Sequence, residues 1–200
     1  MARLCTYIMT HDSGLAPNPF WGWCTLAVCT PNHQGARVEP GDWIAGFTPK
    51  GEKLIYAMEV SESAMDMDDY FHDPRFANKK PRRGGSWQER CGDNFYSRAV
   101  DGGWQQHWNL SHMGKTHLRQ DTRHPKVFIS KHFWYFGREA IELPSRYAKL
   151  VGTRGIRVNH PVELVDSFMG WLNRMDRKGQ IGMPREMETR TCCKNPPSVC

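Results

Sequence analysis

The residues with chemistry in them fall into a few short blocks. In the first, Asn18 stands between Pro17 and Pro19, and Phe20, Trp21 and Trp23 follow at once. Prolines hold the amide with little entropy left to lose, and a bidentate amide can read the edge of a base. Exposed rings stack on bases at roughly 1–3 kcal/mol each. The structural alternative is an Asn that closes a turn and rings that are core. Cys24 with Thr25 suggests a nucleophile, which needs a base or a positive dipole to make it thiolate; His107, His112 and His132 are candidate bases, with burial of a small thiol as the alternative. Asp42 and Asp93 each follow a glycine, where Asp commonly bonds local backbone, and Asp42 is the candidate general base for a desolvated cleft. In Asp73-Pro-Arg-Phe76 the guanidinium of Arg75 can grip a phosphate while Asp73 orients it, with Lys79 and Lys80 extending the cationic floor. The alternative there is an internal Asp73 to Arg75 pair on a surface turn, of little energetic weight. Thr25, Asn94 and the Tyr135 hydroxyl complete the candidate nucleotide contacts.

Charge supports this grouping more by its distribution than by its total. The chain of 200 residues has a formal net charge of +6. Residues 75–90 carry Arg75, Lys79, Lys80, Arg82, Arg83 and Arg90 against Glu89 alone, with Trp87 among them. Cations interleaved with an aromatic suit a phosphate backbone and a stacked base. Seven cysteines, among them Cys24, Cys29, Cys192, Cys193 and Cys200, show no Cys-x-x-Cys pair, so neither a disulfide framework nor a metal is expected. Nor is a cofactor expected, because no phosphate-binding glycine loop, dinucleotide fingerprint or deaminase signature is present.

These residues need a scaffold. Hydrophobic content of 39% with 8 Trp excludes a disordered chain. No apolar run reaches the roughly 18 residues of a membrane span, and the opening residues lack a signal-peptide pattern, so a cytoplasmic protein is expected. Residues 3–9 alternate Leu4, Thr6 and Ile8 against Cys5, Tyr7 and Met9, a first strand. Residues 43–47 and 53–60 read as a hairpin through Thr48-Pro-Lys-Gly51, with Leu54, Tyr56, Met58 and Val60 on one face. Residues 23–30 are ambiguous between strand and helix. Residues 32–41 and 152–155 read as turns, and Asp66 as the cap of a helical turn. Residues 99–124 read as a long loop and 127–136 as one strand. In residues 160–175, Val162, Val165, Phe168 or Met169, Leu172 and Met175 form an apolar stripe behind Pro161, which predicts a helix covering the sheet. The expected fold is α+β: a small, strongly bent mixed sheet or pseudo-barrel with a few covering helices. A single domain is expected over residues 1–178, with a loosely packed tail over 179–200.

The blocks APNPFWGWCTLAVCTP, GDWIAGF, LIYAMEV, YFHDPRFANKKP, GDNFY and VFISKHFWYFG, the last followed by Leu143-Pro144, occur in this order over residues 7–144. In them the chain resembles the nucleotide modification associated domain 2 family. That resemblance implies a protein of phages or bacteria acting with systems that make or handle modified DNA bases. A weaker similarity, a Gly-Asp turn opening a strand and then a hairpin, is to PUA-like domains of the ASCH and EVE groups, which hold RNA or modified bases. Together these readings give the expectation of a nucleotide-binding or nucleic-acid-binding protein with a base held in an aromatic cleft beside a basic flank. The partners would be nucleic acid or nucleotide, and DNA-modification enzymes. Two alternatives stay open: an enzyme that alters or removes a base or nucleotide substituent, and an interaction subunit of a modification or defence system.

Overall fold

The structure, a computed structural model, describes residues 2–28, 36–152 and 155–187. Its centre is a mixed sheet in which β1 (Leu4–Ile8) runs parallel to β3 (Trp43–Phe47), and β3 antiparallel to β4 (Lys53–Glu59). Beyond β4 come β9 (His132–Tyr135) and then β11 (Gly179–Gln180), while β10 (Ile141–Glu142) pairs with the start of β4. A smaller sheet joins β2 (Cys24–Leu26), β8 (Lys126–Ser130) and β5 (Met65–Asp66). The ambiguous run after Trp23 is therefore a strand as far as Leu26; Cys29 and Thr30 lie outside the described residues.

Strand alternation sorts the core into layers. Leu4, Trp43, Ala45 and Trp134 face one way, where they pack on Tyr147, Val165, Phe168 and Leu172. Those last residues come from a short 3-10 helix (Ser145–Leu150) and a long α-helix (Val162–Asn173). The predicted covering helix is thus present, shorter at both ends, with Pro161 just before its first turn. Cys5, Tyr7, Ile44 and Tyr135 face the other way and meet Cys24, Leu26 and Phe128 of the small sheet. The far side of that small sheet, through Ala27, Val127 and Ile129, packs on Met67, Tyr70, Phe76 and Phe95. The order of layers is helix, main sheet, small sheet, and a second set of short elements. Burying apolar side chains on both faces of both sheets is the main term holding them together, at about 25 cal/mol per Å².

Four differences from the sequence reading have physical causes. First, Gly46 pairs with Tyr56 but Phe47 pairs with Leu54, so Ile55 is an extra residue. This bulge reverses the parity, and Leu54 joins the helix-facing layer while Tyr56, Met58 and Val60 stay on the opposite face. Second, residues 127–136 are not one strand: the chain breaks at Lys131 and passes from the small sheet to the main one. The buried Ser130 hydroxyl holds this corner, donating to His132 O at 2.9 Å and accepting from His132 N at 3.1 Å. In place of the expected strongly bent sheet or pseudo-barrel there are two sheets sharing one segment, and among the described residues neither sheet closes on itself.

Third, residues 99–124 contain a strand and a helix. β6 (Tyr96–Arg98) and β7 (Trp104–Gln106) form a hairpin, and Lys115–Asp121 is helical. Both strands are polar on the solvent side, and the helix has no side-chain cap, so neither leaves a sequence signature. Fourth, residues 179–187 are held to the sheet edge by backbone bonds, which side chains do not announce: Ile181 N donates to Tyr135 O at 2.8 Å and Glu186 N to Asp12 O at 3.0 Å. Residues 188–200, with the tail cysteines, residues 29–31, and residues 32–35 and 153–154 of the two predicted turns lie outside the described residues. No helix among those described is long and apolar enough to cross a membrane.

The close packing against β3 generates a prediction at Gly46. A Cβ there would overlap Met9 Sδ and lie 2.6 Å from Tyr56 Cε1. Gly46→Ala is expected to destabilise the protein by about 1–3 kcal/mol in urea unfolding. An unchanged midpoint would mean that Met9 and Tyr56 give way to a methyl group without loss of packing.

Candidate functional site

The family-like blocks, far apart in sequence, converge on one buried ammonium. Lys79 ends a 3-10 helix (Pro74–Lys79) whose start is capped by Asp73, and its side chain turns inward to 1% exposure. Its Nζ donates to Asn18 Oδ1 at 2.7 Å, Asn18 O at 2.9 Å and Trp23 O at 3.1 Å. Three acceptors need three N–H groups, which only the charged form supplies. Burial pushes its pKa down to about 8, with Asp93 and Cys24 opposing, so the ammonium persists at neutral pH.

Asp93 is the matching anion. It accepts from Thr25 Oγ1 at 2.6 Å and from Tyr70 OH at 2.8 Å. Burial pushes its pKa up, while Lys79 and the two hydroxyls pull the other way. Tyr70 comes from a short helix, α1 (Met67–His72), capped as predicted by Asp66, which accepts from Asp68 N at 2.8 Å. Asn94 ties the same region together, donating to Tyr70 O at 2.9 Å and Phe76 O at 3.3 Å. Gly92 permits the approach: a Cβ there would overlap the Lys79 carbonyl and sit 2.8 Å from Pro81 N.

What this knot holds is a turn. Asn18 and Thr25 bridge through their backbones at 2.8 and 3.0 Å, and the Asn18 amide donates to Cys91 O at 2.9 Å. Between them Trp23 N reaches Phe20 O at 3.4 Å, with Trp21 at φ 57° and Gly22 at φ 77°. Positive φ at both central positions is the type I′ pattern, which favours Asn and Gly. A tryptophan in left-handed backbone is strained by roughly 1–2 kcal/mol. Such outliers cluster at functional sites. Both indoles are partly exposed, whereas Phe20 is fully buried. Trp21 packs edge-on to Phe20, near Trp87, and Trp23 edge-on to Phe76.

Cations stand at Trp23. Lys131 Nζ lies 4.4 Å and Arg75 Cζ 5.6 Å from its ring centroid. Lys131 sits at the corner between the two sheets, its backbone held by Ser61 Oγ at 2.9 Å. Sequence reasoning passed over it, although one charged residue inside an apolar run marks such a corner. Arg75 is shared between Asp73, at 2.7 Å, and Glu62, at 2.9 Å, whose hydrogen bonds raise its pKa. The internal pair weighed from the sequence is present, with a second acid added.

The candidate residues therefore separate into two layers. Asn18, Phe20, Cys24, Thr25, Lys79, Asn94 and Tyr135 are interior, and Tyr135 gives its hydroxyl to buried Asp12. Trp21, Trp23, Asp73 and Arg75 are on the surface. Lys80 does not extend a floor beside Lys79; its Nζ lies 3.8 Å from the Phe71 ring. The candidate catalytic groups stand apart from the knot, Cys24 excepted. Burial pushes the Cys24 thiol up to about 12, leaving it protonated at neutral pH. Asp42 receives Arg3 Nη2 at 2.7 Å, Arg3 N at 2.8 Å and Glu39 N at 3.0 Å. Burial raises its pKa, but these bonds outweigh it and the net shift is downward. His112 is buried against Asp121, Nδ1 to Oδ2 at 2.7 Å, and Tyr96 OH donates to the same oxygen at 2.8 Å. His132 is half exposed, with Nδ1 at 2.6 Å from Glu59 Oε2 and Nε2 at 2.9 Å from Lys178 Nζ.

Two predictions follow from the buried layer. Lys79→Met takes one donor from each of three oxygens and the counter-charge from Asp93, and should lower stability by about 3–5 kcal/mol in denaturant unfolding. A loss below about 1 kcal/mol would show that the ammonium does not hold the turn. Alkylation of the native protein at pH 8, mapped by peptide mass, should leave Cys24 unmodified until denaturant is added. Modification in the folded state would restore Cys24 as a nucleophile.

No curated protein and no solved structure matches the chain. The nucleotide modification associated domain 2 matches residues 1–191, a span that takes in every described residue, and the chain belongs to that family.

Proposed function

We propose that the protein binds a nucleotide, free or within nucleic acid, on the Trp21 and Trp23 turn, with Lys131 and Arg75 beside the phosphate. The observation that carries this reading is the turn itself: two partly exposed indoles, one in strained left-handed backbone, fixed from below by a buried ammonium. Rigid aromatic rings lose little entropy when a base stacks on them, and nearby cations supply attraction to phosphate. Membership of a family associated with nucleotide modification agrees with such a ligand, and a modified base is the form it suggests. Arg75 is part-neutralised by its two acids, so Lys131 is the stronger phosphate partner.

An enzymatic reading has one observation in its favour. The Glu59 and His132 pair, partly exposed beside Lys178, fixes the imidazole with a proton on Nδ1 when neutral, leaving Nε2 as an acceptor. In that reading a bound nucleotide displaces Lys178 from Nε2, His132 acts on it as general base, and His132→Gln would abolish turnover while sparing binding.

The binding reading is tested by titrating deoxynucleoside monophosphates, plain and base-modified, into the full chain, with calorimetric detection. Trp23→Ala should weaken binding by about 1–3 kcal/mol, and Lys131→Ala should weaken it while flattening the salt dependence. Thermal melting of both variants controls for folding. Absence of heat with every nucleotide, or affinity unchanged in Trp23→Ala, would reject the proposal.

A further inference from the structure

Lys178 stands on the turn between the long helix (Val162–Asn173) and β11 and reaches back to the main sheet. Strand register sets Trp43 of β3, Glu59 of β4 and His132 of β9 in one row across that sheet. Glu59 Oε2 lies 2.6 Å from His132 Nδ1, and Lys178 Nζ 2.9 Å from His132 Nε2. The imidazole rests against Trp43 and Trp134, with centroids 5.7 and 4.7 Å away, and Lys178 Nζ is 5.4 Å from the Trp134 ring. Among the described residues Lys178 has no other hydrogen-bond or ion-pair partner.

These neighbours admit one protonation state of the ring. An ammonium only donates, so Nε2 is the bare, accepting nitrogen; a carboxylate only accepts, so Nδ1 carries the proton. The imidazole held this way is neutral. Adding a proton fills Nε2, takes from Lys178 its acceptor and sets two cations 2.9 Å apart. Glu59 keeps the ring, because Nδ1 donates to it in either state, and Lys178 is the group that leaves. The remaining charged neighbours are set apart: Lys131 lies at Trp23, Asp42 holds Arg3, and Arg174, Asp176 and Arg177 are exposed. At the far end of the same segment Glu186 Oε1 lies 3.0 Å from His11 Nδ1, a pair that protonation of His11 strengthens.

We infer that Lys178 on His132 is a pH-operated latch, which closes the turn and the start of β11 onto the sheet while the imidazole is neutral and opens when the ring is protonated. Imidazole suits the task, as the side chain whose charge ordinarily changes between about pH 8 and pH 5. Acid therefore loosens the start of residues 178–187 and leaves their end tied. The latch is separate from the nucleotide site and stands whether or not a nucleotide binds there.

The test is amide hydrogen exchange of the full 15N-labelled chain at about pH 8 and about pH 5, with each rate compared with the intrinsic rate at its own pH. Ile181 and Gly182 report on the segment, because both donate to Tyr135 O, at 2.8 and 3.1 Å. Their protection should fall about fivefold or more on acidification, the weight of one hydrogen bond, while amides of the β1–β3 pair keep theirs. Lys178→Met, which keeps an apolar stem over Trp134 and lacks the donor, should show the low protection at both pH values. His132→Gln should remove the pH dependence. Thermal melting controls for the fold of both variants, and imidazole 15N shifts of the unaltered chain should show the Nδ1–H form at about pH 8. Equal protection at both pH values in the unaltered chain, an acid loss that survives in Lys178→Met, or a ring protonated on Nε2 at the higher pH would overturn the inference.

Discussion

A charged amine enclosed in the protein interior sets the terms for the region around it. An ammonium removed from water is tolerated only where oxygens replace its hydration and an anion balances its charge. Lys79 obtains the first from Asn18 and Trp23 and the second from Asp93. Each of those groups must then stay where it is. Thr25 and Tyr70 are drawn to Asp93, Asn18 is fastened to Cys91, and the backbone from Asn18 to Thr25 closes into a loop. The polar knot thus converts four separate stretches of sequence into one rigid piece.

Rigidity of this kind has a use at the surface. The type I′ turn at Phe20–Trp23 places a tryptophan where glycine or asparagine would be relaxed, and only a closed loop can hold it there. The layered core beneath supplies the rest of the support. The small sheet that carries Thr25 is clamped between the main sheet and the α1 side, so the turn stands on buried structure and not on a free loop. The corner at Lys131, where one segment changes sheets, delivers a cation to the Trp23 ring.

Much of the scaffold was legible in the sequence because it follows from side-chain period. The alternation in residues 3–9, the hairpin at Thr48 to Gly51 and the stripe from Val165 to Leu172 all have the predicted sense. What stayed hidden depends on backbone or on pairing at long range. The bulge at Ile55 has no residue signature, and the β6–β7 hairpin buries too little to show an apolar period. That residues from these blocks meet was legible, and the depth at which they meet was not. Asn18, Lys79 and Asn94 were read as contacts for a ligand because polar residues in family-like blocks suggest recognition. They face inward, because the same residue types satisfy a buried charge equally well, and sequence does not record which side of a loop they occupy. Burial of Cys24 is the same lesson for a thiol.

The claim on which the account turns is that the two indoles of this turn meet a nucleotide. In a 15N-labelled chain, the tryptophan Nε1–H resonances, assigned by single substitutions, can be followed as a deoxynucleoside monophosphate is added. The account predicts that the Trp21 and Trp23 signals shift and saturate together while the enclosed Trp43 and Trp134 signals stay in place. Stationary Trp21 and Trp23 signals at saturating nucleotide, or shifts confined to other indoles, would contradict it.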